Sequence, residues 1–156
     1  MKKTFLFVCS GNTCRSCMAE IMAKDMTKKI CDEKNLELEF NSAGLSAIAG
    51  DRASVNAREA LLQIGLSADN HRAKNITIEM VKNANLILTM QKHHRDFLIK
   101  FCPDIGVKTF TLKEFAYDNA VDIDVQDPYG RNLDTYINTR EEIKDALKNV
   151  FKKALV

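Results

Sequence analysis

Hydrophobic and polar positions along the chain follow two periods, one typical of strands and one typical of helices. A continuous apolar run over Thr4–Val8 predicts a strand covered on both faces, and the alternating residues of Leu36–Asn41 predict a second strand. We interpret Ser42-Ala43-Gly44 as the break that ends this second strand. Two further strands are predicted over Leu86–Met90 and Val107–Phe110.

Helical periodicity separates these strands. The predicted helices run from Ser16 to about Ile30 and over Val55–Ile64, Ile78–Lys82, His93–Phe101 and Asp134–Ala154. The first helix places Met18, Ile21, Met22, Met26 and Ile30 on one side, and the last turns Ile143, Leu147, Val150, Phe151 and Ala154 inward. Thr77 is a predicted cap and Gly65 a predicted stop. Alternating strands and helices predict a single α/β domain over residues 1–156, a parallel sheet with helices on both faces.

The composition is compatible with a small soluble enzyme. Of 156 residues, 46% are hydrophobic and 28% are charged, which suggests neither a disordered chain nor a membrane protein. With 23 basic and 21 acidic residues the net charge is +2, so the overall field gives no reason to expect nucleic-acid binding. The first apolar run is too short for a signal peptide. Five cysteines are an odd number, which favours reduced thiols, and we expect a cytoplasmic protein that does not bind membranes.

The junction of the first strand and the first helix reads Cys-Ser-Gly-Asn-Thr-Cys-Arg-Ser, over Cys9–Ser16. The backbone N–H groups of such a loop and the positive end of the following helix suit a phosphate. Arg15 adds a planar charged fork, and we expect Cys9 to be a thiolate near neutral pH, a nucleophile beside the bound phosphate. The residues expected to bind the phosphate are Ser10, Gly11, Asn12, Thr13, Cys14, Arg15 and Ser16.

A cysteine nucleophile also needs an acid for the leaving group and a base for the water that later attacks phosphocysteine. One carboxyl group can serve both steps. The irregular acidic stretch Ala116–Leu133 offers Asp118, Asp122, Asp124 and Asp127. We favour Asp127, since Pro128 holds it in an extended backbone and the aromatic Tyr129 follows as a wall for the substrate. In the alternative interpretation, Asp127-Pro128 only starts a turn and Tyr129 packs.

The loop resembles the signature loop of the low-molecular-weight protein tyrosine phosphatases. Further segments resemble that family in the same order, namely Met18-Ala19-Glu20, Asn41-Ser42-Ala43-Gly44, Leu86-Ile87-Leu88-Thr89-Met90 and Asp127-Pro128-Tyr129-Gly130. The resemblance covers nearly the whole chain and implies the family fold, with a four-stranded parallel sheet. It also implies that Cys9 is the nucleophile, that Arg15 binds the phosphoryl oxygens, and that Asp127 is the general acid and then the base.

The same resemblance implies supporting roles. Ser16 would donate a hydrogen bond that eases departure of the Cys9 sulfur. Asn12 would hold the loop through its amide, with Ser42 bracing it, and asparagine suits the left-handed backbone of a tight loop. Independently, the short spacing of Cys9 and Cys14 within one loop predicts that oxidation joins them in a reversible disulfide. We expect no metal and no cofactor.

The chain departs from the family at Cys17, where proline is usual. Losing a proline in the first helical turn loosens the loop by about 0.4–1 kcal/mol. Cys14 and Cys17 also form a Cys-x-x-Cys, which can be a redox pair, and with Cys9 they show the spacing of iron–sulfur ligands. An iron–sulfur site would leave the arginine and asparagine of the loop without a role.

Two further alternatives concern the reaction. Arsenate reduction would need cysteines on a mobile segment after the loop, and none lies between Cys31 and Cys102. A carrier that keeps its phosphocysteine is disfavoured by the presence of Arg15, Ser16 and Asp127 together. The histidines give weaker signals: His71 is expected to be structural, and the adjacent His93-His94 do not form a helical metal pair.

Thr13 bears on which phosphorylated residue is bound. In the family that the chain resembles, members that act on phosphotyrosine usually carry a bulky aliphatic residue at the position of Thr13, whereas protein arginine phosphatases carry threonine. A phosphoguanidinium is flat, polar and partly cationic, and an aliphatic wall would leave its donors unpaired at about 1–3 kcal/mol per buried group. Tyr129 suits a phenol or a guanidinium equally. We therefore favour phosphoarginine in proteins as substrate, with phosphotyrosine as the alternative.

Overall fold

The computed structural model describes residues 2–155. Its centre is a four-stranded sheet in the order β2-β1-β3-β4, and every neighbouring pair is parallel. The strands are β1 (Lys2–Cys9), β2 (Glu37–Gly44), β3 (Leu86–Thr89) and β4 (Thr109–Thr111). The predicted architecture, a parallel four-stranded sheet with helices on both faces, is confirmed.

Within the described residues 2–155, six α-helices and one 3-10 helix connect and cover these strands. They are α1 (Arg15–Lys34), α2 (Val55–Leu62), α3 (Ile78–Asn83), α4 (Lys92–Phe101), α5 (Leu112–Ala116), α6 (Leu133–Ala154) and the 3-10 helix Pro103–Lys108. Helix α6 packs against α1, α2 and α5. The side chain of Thr77 accepts from the Met80 amide and caps α3, as predicted.

Strand β1 is buried on both faces because successive side chains point in opposite directions. Phe5 and Phe7 belong to the larger core, which includes residues of α1 and α6. Leu6 and Val8 belong to a smaller core on the other face, with residues of α3 and α4. The continuous apolar run of this strand therefore serves two cores, and it ends at Cys9, the first residue of the predicted phosphate loop Cys9–Ser16.

Strand β2 does not end at Asn41, as we predicted, but continues to Gly44. Ser42–Gly44 pair in register with Phe7–Cys9 and are buried. A Cβ atom on Gly44 would lie only 2.5 Å from the Ser10 carbonyl oxygen. The glycine is thus required because the loop passes close to the strand, and not because the strand stops there.

Other boundaries also differ from the prediction. The predicted start of the fourth strand at Val107 was wrong. Val107 and Lys108 belong to the 3-10 helix, and Val107 is 87% exposed. Helix α5 was missed, although Thr111 and Glu114 form a capping box at its start. Helix α1 runs past Ile30 to Lys34, and Met26 and Ile30 are only half-buried. Helix α2 ends at Leu62 rather than Ile64.

Candidate active site

The loop between β1 and α1 lines an open cleft of about 270 Å³ at the carboxyl end of the sheet. Residues Cys9–Arg15 form its floor, and the rest of the lining is Ser46, Ile48, Asp51, Asp127 and Tyr129. Helix α1 begins at Arg15, so the positive end of a 20-residue helix adjoins the loop. This is an arrangement that favours a bound anion.

Cys9 is buried, and two hydrogen-bonding groups surround its sulfur. The Sγ atom lies 2.9 Å from the Ser16 hydroxyl oxygen, and the Asn12 backbone amide donates to it at 3.3 Å. These two contacts fix the position of the sulfur at the base of the loop. Ser16 itself is fully buried and does not line the cleft, so its side chain contacts the sulfur and not a phosphate in the cleft.

Asn12 holds the loop from several sides. Its φ of 57° is left-handed. Its amide group donates to the hydroxyls of Ser16 and Ser42, both at 2.9 Å, and its side-chain oxygen accepts from the Lys74 amide at 3.1 Å. The backbone carbonyl of Asn12 lies 2.6 Å from His71 Nε2. Both N–H donors of the side-chain amide are used and its oxygen accepts one hydrogen bond, so Asn12 ties the loop to three other parts of the chain.

Arg15 is only 2% exposed, and protein acceptors hold one of its two terminal nitrogens. One terminal nitrogen donates to the Gln91 side-chain oxygen and to the Val125 carbonyl, the latter at 2.8 Å. The other lies 3.7 Å from Asp127 Oδ2. These partners fix the plane of the fork beside the loop. Gln91 and Val125 were missed in the sequence, where nothing marks them.

Asp127 stands at the mouth of the cleft with 48% of its side chain exposed. Its Oδ1 accepts from the Tyr129 amide at 3.1 Å, a local turn that aims Oδ2 at Arg15. The Tyr129 ring is 76% exposed and lines the cleft, so it does not pack into the core. Asp118 and Asp122 instead pair with Lys153 and Lys113 on the surface.

Residues 4–155 match the sequence pattern of one protein family, described as low molecular weight phosphotyrosine protein phosphatase. The chain belongs to this family. The protein-arginine-phosphatase of Bacillus subtilis is 35% identical over 148 residues, which cover 95% of this chain and 94% of that protein. The protein is therefore an enzyme, a phosphatase of the cysteine-dependent type.

Solved structures of the same family share the fold. A low molecular weight protein tyrosine phosphatase from T. tengcongensis superposes with a TM-score of 0.88 at 38% identity, covering 97% of this chain and 99% of that one. An arginine phosphatase whose active-site cysteine is replaced by a phosphorylated serine superposes with a TM-score of 0.85 at 33% identity, covering 96% and 94%.

Sequence reasoning missed His94, the buried histidine of this phosphatase. Its Nδ1 accepts from the Gln91 amide at 3.1 Å, so the proton sits on Nε2, which donates to the Ser10 hydroxyl at 2.9 Å. Burial, with the positive charges of Arg15 and His93 adding to it, lowers the pKa of His94 to about 3. The neutral ring therefore connects α4 to the loop through its hydrogen bond to Ser10.

The remaining cysteines near the loop are buried thiols. Cys14 lies 3.4 Å from the hydroxyls of both Tyr136 and Ser54. Burial and a hydrogen bond to Cys14 raise the pKa of Tyr136 to about 12, so its hydroxyl remains protonated. Burial raises the pKa of Cys17 well above its usual value. Cys17 thus fills the position of the usual proline as a packed apolar residue.

Within residues 2–155, no helix is both long and apolar enough to cross a membrane. The same residues contain no group of three or more His, Cys, Asp or Glu side chains arranged to hold a metal ion.

Proposed function

We propose that the protein hydrolyses phosphoarginine in proteins through a phosphocysteine intermediate. The observation that carries this is that Thr13, a residue with a hydroxyl side chain, lines the cleft that the substrate would enter. The similarity to arginine phosphatases over nearly the whole chain supports it. The relative trapped with a phosphorylated serine in place of its cysteine supports the covalent route.

In the first step, loop amides and Arg15 hold the phosphoryl oxygens while the Cys9 thiolate attacks phosphorus. The S–P bond forms as the P–N bond to the guanidino nitrogen breaks. Asp127, at the mouth of the cleft, enters this step as the carboxylic acid and gives its proton to that nitrogen. The products are arginine in the substrate protein and phosphocysteine at position 9.

In the second step, a water molecule attacks the phosphorus of phosphocysteine. The Asp127 carboxylate accepts the proton from the water, and the S–P bond breaks to release inorganic phosphate. The Ser16 hydroxyl, 2.9 Å from the Cys9 sulfur, donates a hydrogen bond to the departing thiolate. Asn12 and Ser42 hold that hydroxyl in place through the amide network of the loop.

Phosphotyrosine is the second candidate substrate, because the cleft also presents apolar walls. The ring of Tyr129 and the side chain of Ile48 are both largely exposed and line the cleft, so a phenol ring could lie between them. The family contains tyrosine phosphatases of similar identity to this chain. These walls accept either group, whereas a threonine hydroxyl offers a partner only to the guanidinium.

The reaction also bears on the binding partners of the enzyme and on its cellular compartment. The phosphorylated partner is a protein, and the loop would bind phosphate and related oxyanions. All five cysteines are free thiols in the structure, and the nucleophile must be reduced to act, so we place the enzyme in the cytoplasm. No step of this mechanism requires a cofactor.

The test compares kcat/KM for one peptide carrying either phosphoarginine or phosphotyrosine. We expect the wild-type protein to prefer phosphoarginine. Thr13→Ile should reverse the preference, with the loss on phosphoarginine larger than any gain on phosphotyrosine, because unpaired polar groups discriminate more than shape does. Thr13→Val, which removes the hydroxyl with no added length, separates the two effects. A wild-type preference for phosphotyrosine, or a ratio that stays constant in both variants, contradicts the arginine assignment.

A further inference from the structure

One wall of the cleft is the segment 45–54, which joins β2 to α2 and is fixed to the phosphate loop at both ends. Near its start the Ser46 amide donates to the Ser10 carbonyl at 3.0 Å. At its end the Ser54 amide donates to the Thr13 carbonyl at 3.0 Å. The backbone of this segment is therefore held against the loop that forms the floor of the cleft.

Within this segment a tight turn brings Ile48 and Asp51 side by side. The Asp51 amide donates to the Ile48 carbonyl at 3.1 Å, and Gly50, the third residue of the turn, has a φ of 89°, as a type II turn requires. The backbone of Ala73 then receives a hydrogen bond from Gly50 at 2.8 Å and gives one to Asp51 at 2.7 Å. Both Ile48 and Asp51 line the cleft.

The carboxylate of Asp51 has no counter-charge of its own. Among residues 2–155 it makes no ion pair or side-chain hydrogen bond, whereas Asp127, the other carboxylate of the cleft, adjoins Arg15. An unneutralised anion on the wall of a phosphate site repels the phosphate by itself. A substrate that carries positive charge next to the phosphoryl group offsets this repulsion.

We propose that Asp51 is a specificity residue that binds the guanidinium of phosphoarginine, an inference that rests on the function proposed above. A phosphorylated guanidine group keeps its positive charge and the N–H donors of the nitrogens that are not phosphorylated. A carboxylate accepts such donors in pairs, with charge assistance. A phenol ring offers neither the charge nor the donors, so Asp51 discriminates against phosphotyrosine while Thr13 meets the same group from the loop.

The experiment uses one peptide with uncharged flanking residues, carrying phosphoarginine or phosphotyrosine, and the wild-type, Asp51→Asn and Asp51→Glu proteins. Asp51→Asn should lower kcat/KM for phosphoarginine about tenfold, mainly through KM, and leave phosphotyrosine unchanged or improved. Asp51→Glu keeps the charge and should keep the preference. Added salt should bring the ratio of the two kcat/KM values closer to 1 in the wild-type protein, because salt screens the attraction between the exposed Asp51 carboxylate and the guanidinium. In Asp51→Asn the same ratio should stay constant.

Asp104→Asn is the matched control, since it removes the same charge from an exposed residue outside the cleft, and it should change neither substrate. A second neutral variant, Asp51→Ser, should repeat the loss and so separate it from any local misfolding of Asp51→Asn. If Asp51→Asn lowers kcat/KM equally for both substrates, or if Asp104→Asn shows the same effect, the specificity role of Asp51 is overturned while the proposed function stands. A wild-type protein that does not hydrolyse phosphoarginine overturns the proposed function itself.

Discussion

Acid should destabilise the native protein through His94, the buried neutral histidine that hydrogen-bonds to Ser10. In the native state its Nδ1 must accept from the Gln91 amide, so a second proton would place two donors face to face. Burial and nearby Arg15 lower the pKa of His94 from 6.5 to about 3. In the unfolded chain the same ring protonates at its ordinary value. The unfolded state therefore binds more protons across this window, and stability rises with pH between those two values.

The size of the effect follows from the shift. Each pH unit below the ordinary histidine pKa removes about 1.4 kcal/mol from the free energy of unfolding, until the native ring itself protonates. Between pH 6.5 and about pH 4.5 the histidine alone should remove about 2–3 kcal/mol. Such a loss is a large part of the stability of a small domain, which is about 5–15 kcal/mol.

The assay is urea unfolding, followed by circular dichroism, of the wild-type and His94→Asn proteins across this pH range. Asparagine can still accept from the Gln91 amide but does not titrate, so the variant should lose the steep part of the pH dependence even if it is less stable at neutral pH. His93→Asn removes an exposed neighbouring ring whose charge is the smallest of the three causes that lower the pKa of His94, so this variant should keep most of the steep pH dependence. If wild type and His94→Asn lose stability in parallel as the pH falls, the histidine is not the cause.

Three further predictions concern the chemistry. Asp127→Asn should lower turnover about 10²–10⁴-fold, with less effect on substrates that have good leaving groups; an equal loss in Asp124→Asn would mean that the wrong carboxylate was chosen. Cys9→Ser should abolish turnover yet still bind phosphate by calorimetry, and retained activity would contradict the nucleophile assignment. Mild peroxide should join Cys9 to Cys14 in a disulfide that a thiol reductant reverses; peptide mapping that finds only irreversibly oxidised Cys9 would refute this.

The local sequence was enough to find the floor of the cleft. Cys9–Arg15 follows an apolar strand and precedes a helix, and such a loop can bind an anion whatever surrounds it. Asp127 was also predicted, from its proline and aromatic neighbours, and the structure brings it within 3.7 Å of the Arg15 guanidinium. These features depend on residues that are close together in the chain or on chemistry that few residue types can perform.

Boundaries were less predictable where tertiary contacts override local preference. Ser42-Ala43-Gly44 has the composition of a strand break, but in-register pairing with β1 carries the strand through it. Val107 has the propensity of a strand residue, yet it lies in a 3-10 helix and only Thr109–Thr111 find a partner strand. In both places, residues form a strand only where a neighbouring strand pairs with them through hydrogen bonds.

The sequence by itself determined the alternation of the four strands with the longer helices, the loop Cys9–Ser16 and the chemistry of its reactive groups, because each depends on a short stretch of residues. Only the tertiary structure decided what holds those groups in place. Gln91 and Val125 orient Arg15, His94 supports Ser10, and segment 45–54 brings Asp51 to the cleft. These partners come from distant parts of the chain and meet because the carboxyl ends of parallel strands lie along one edge of the sheet.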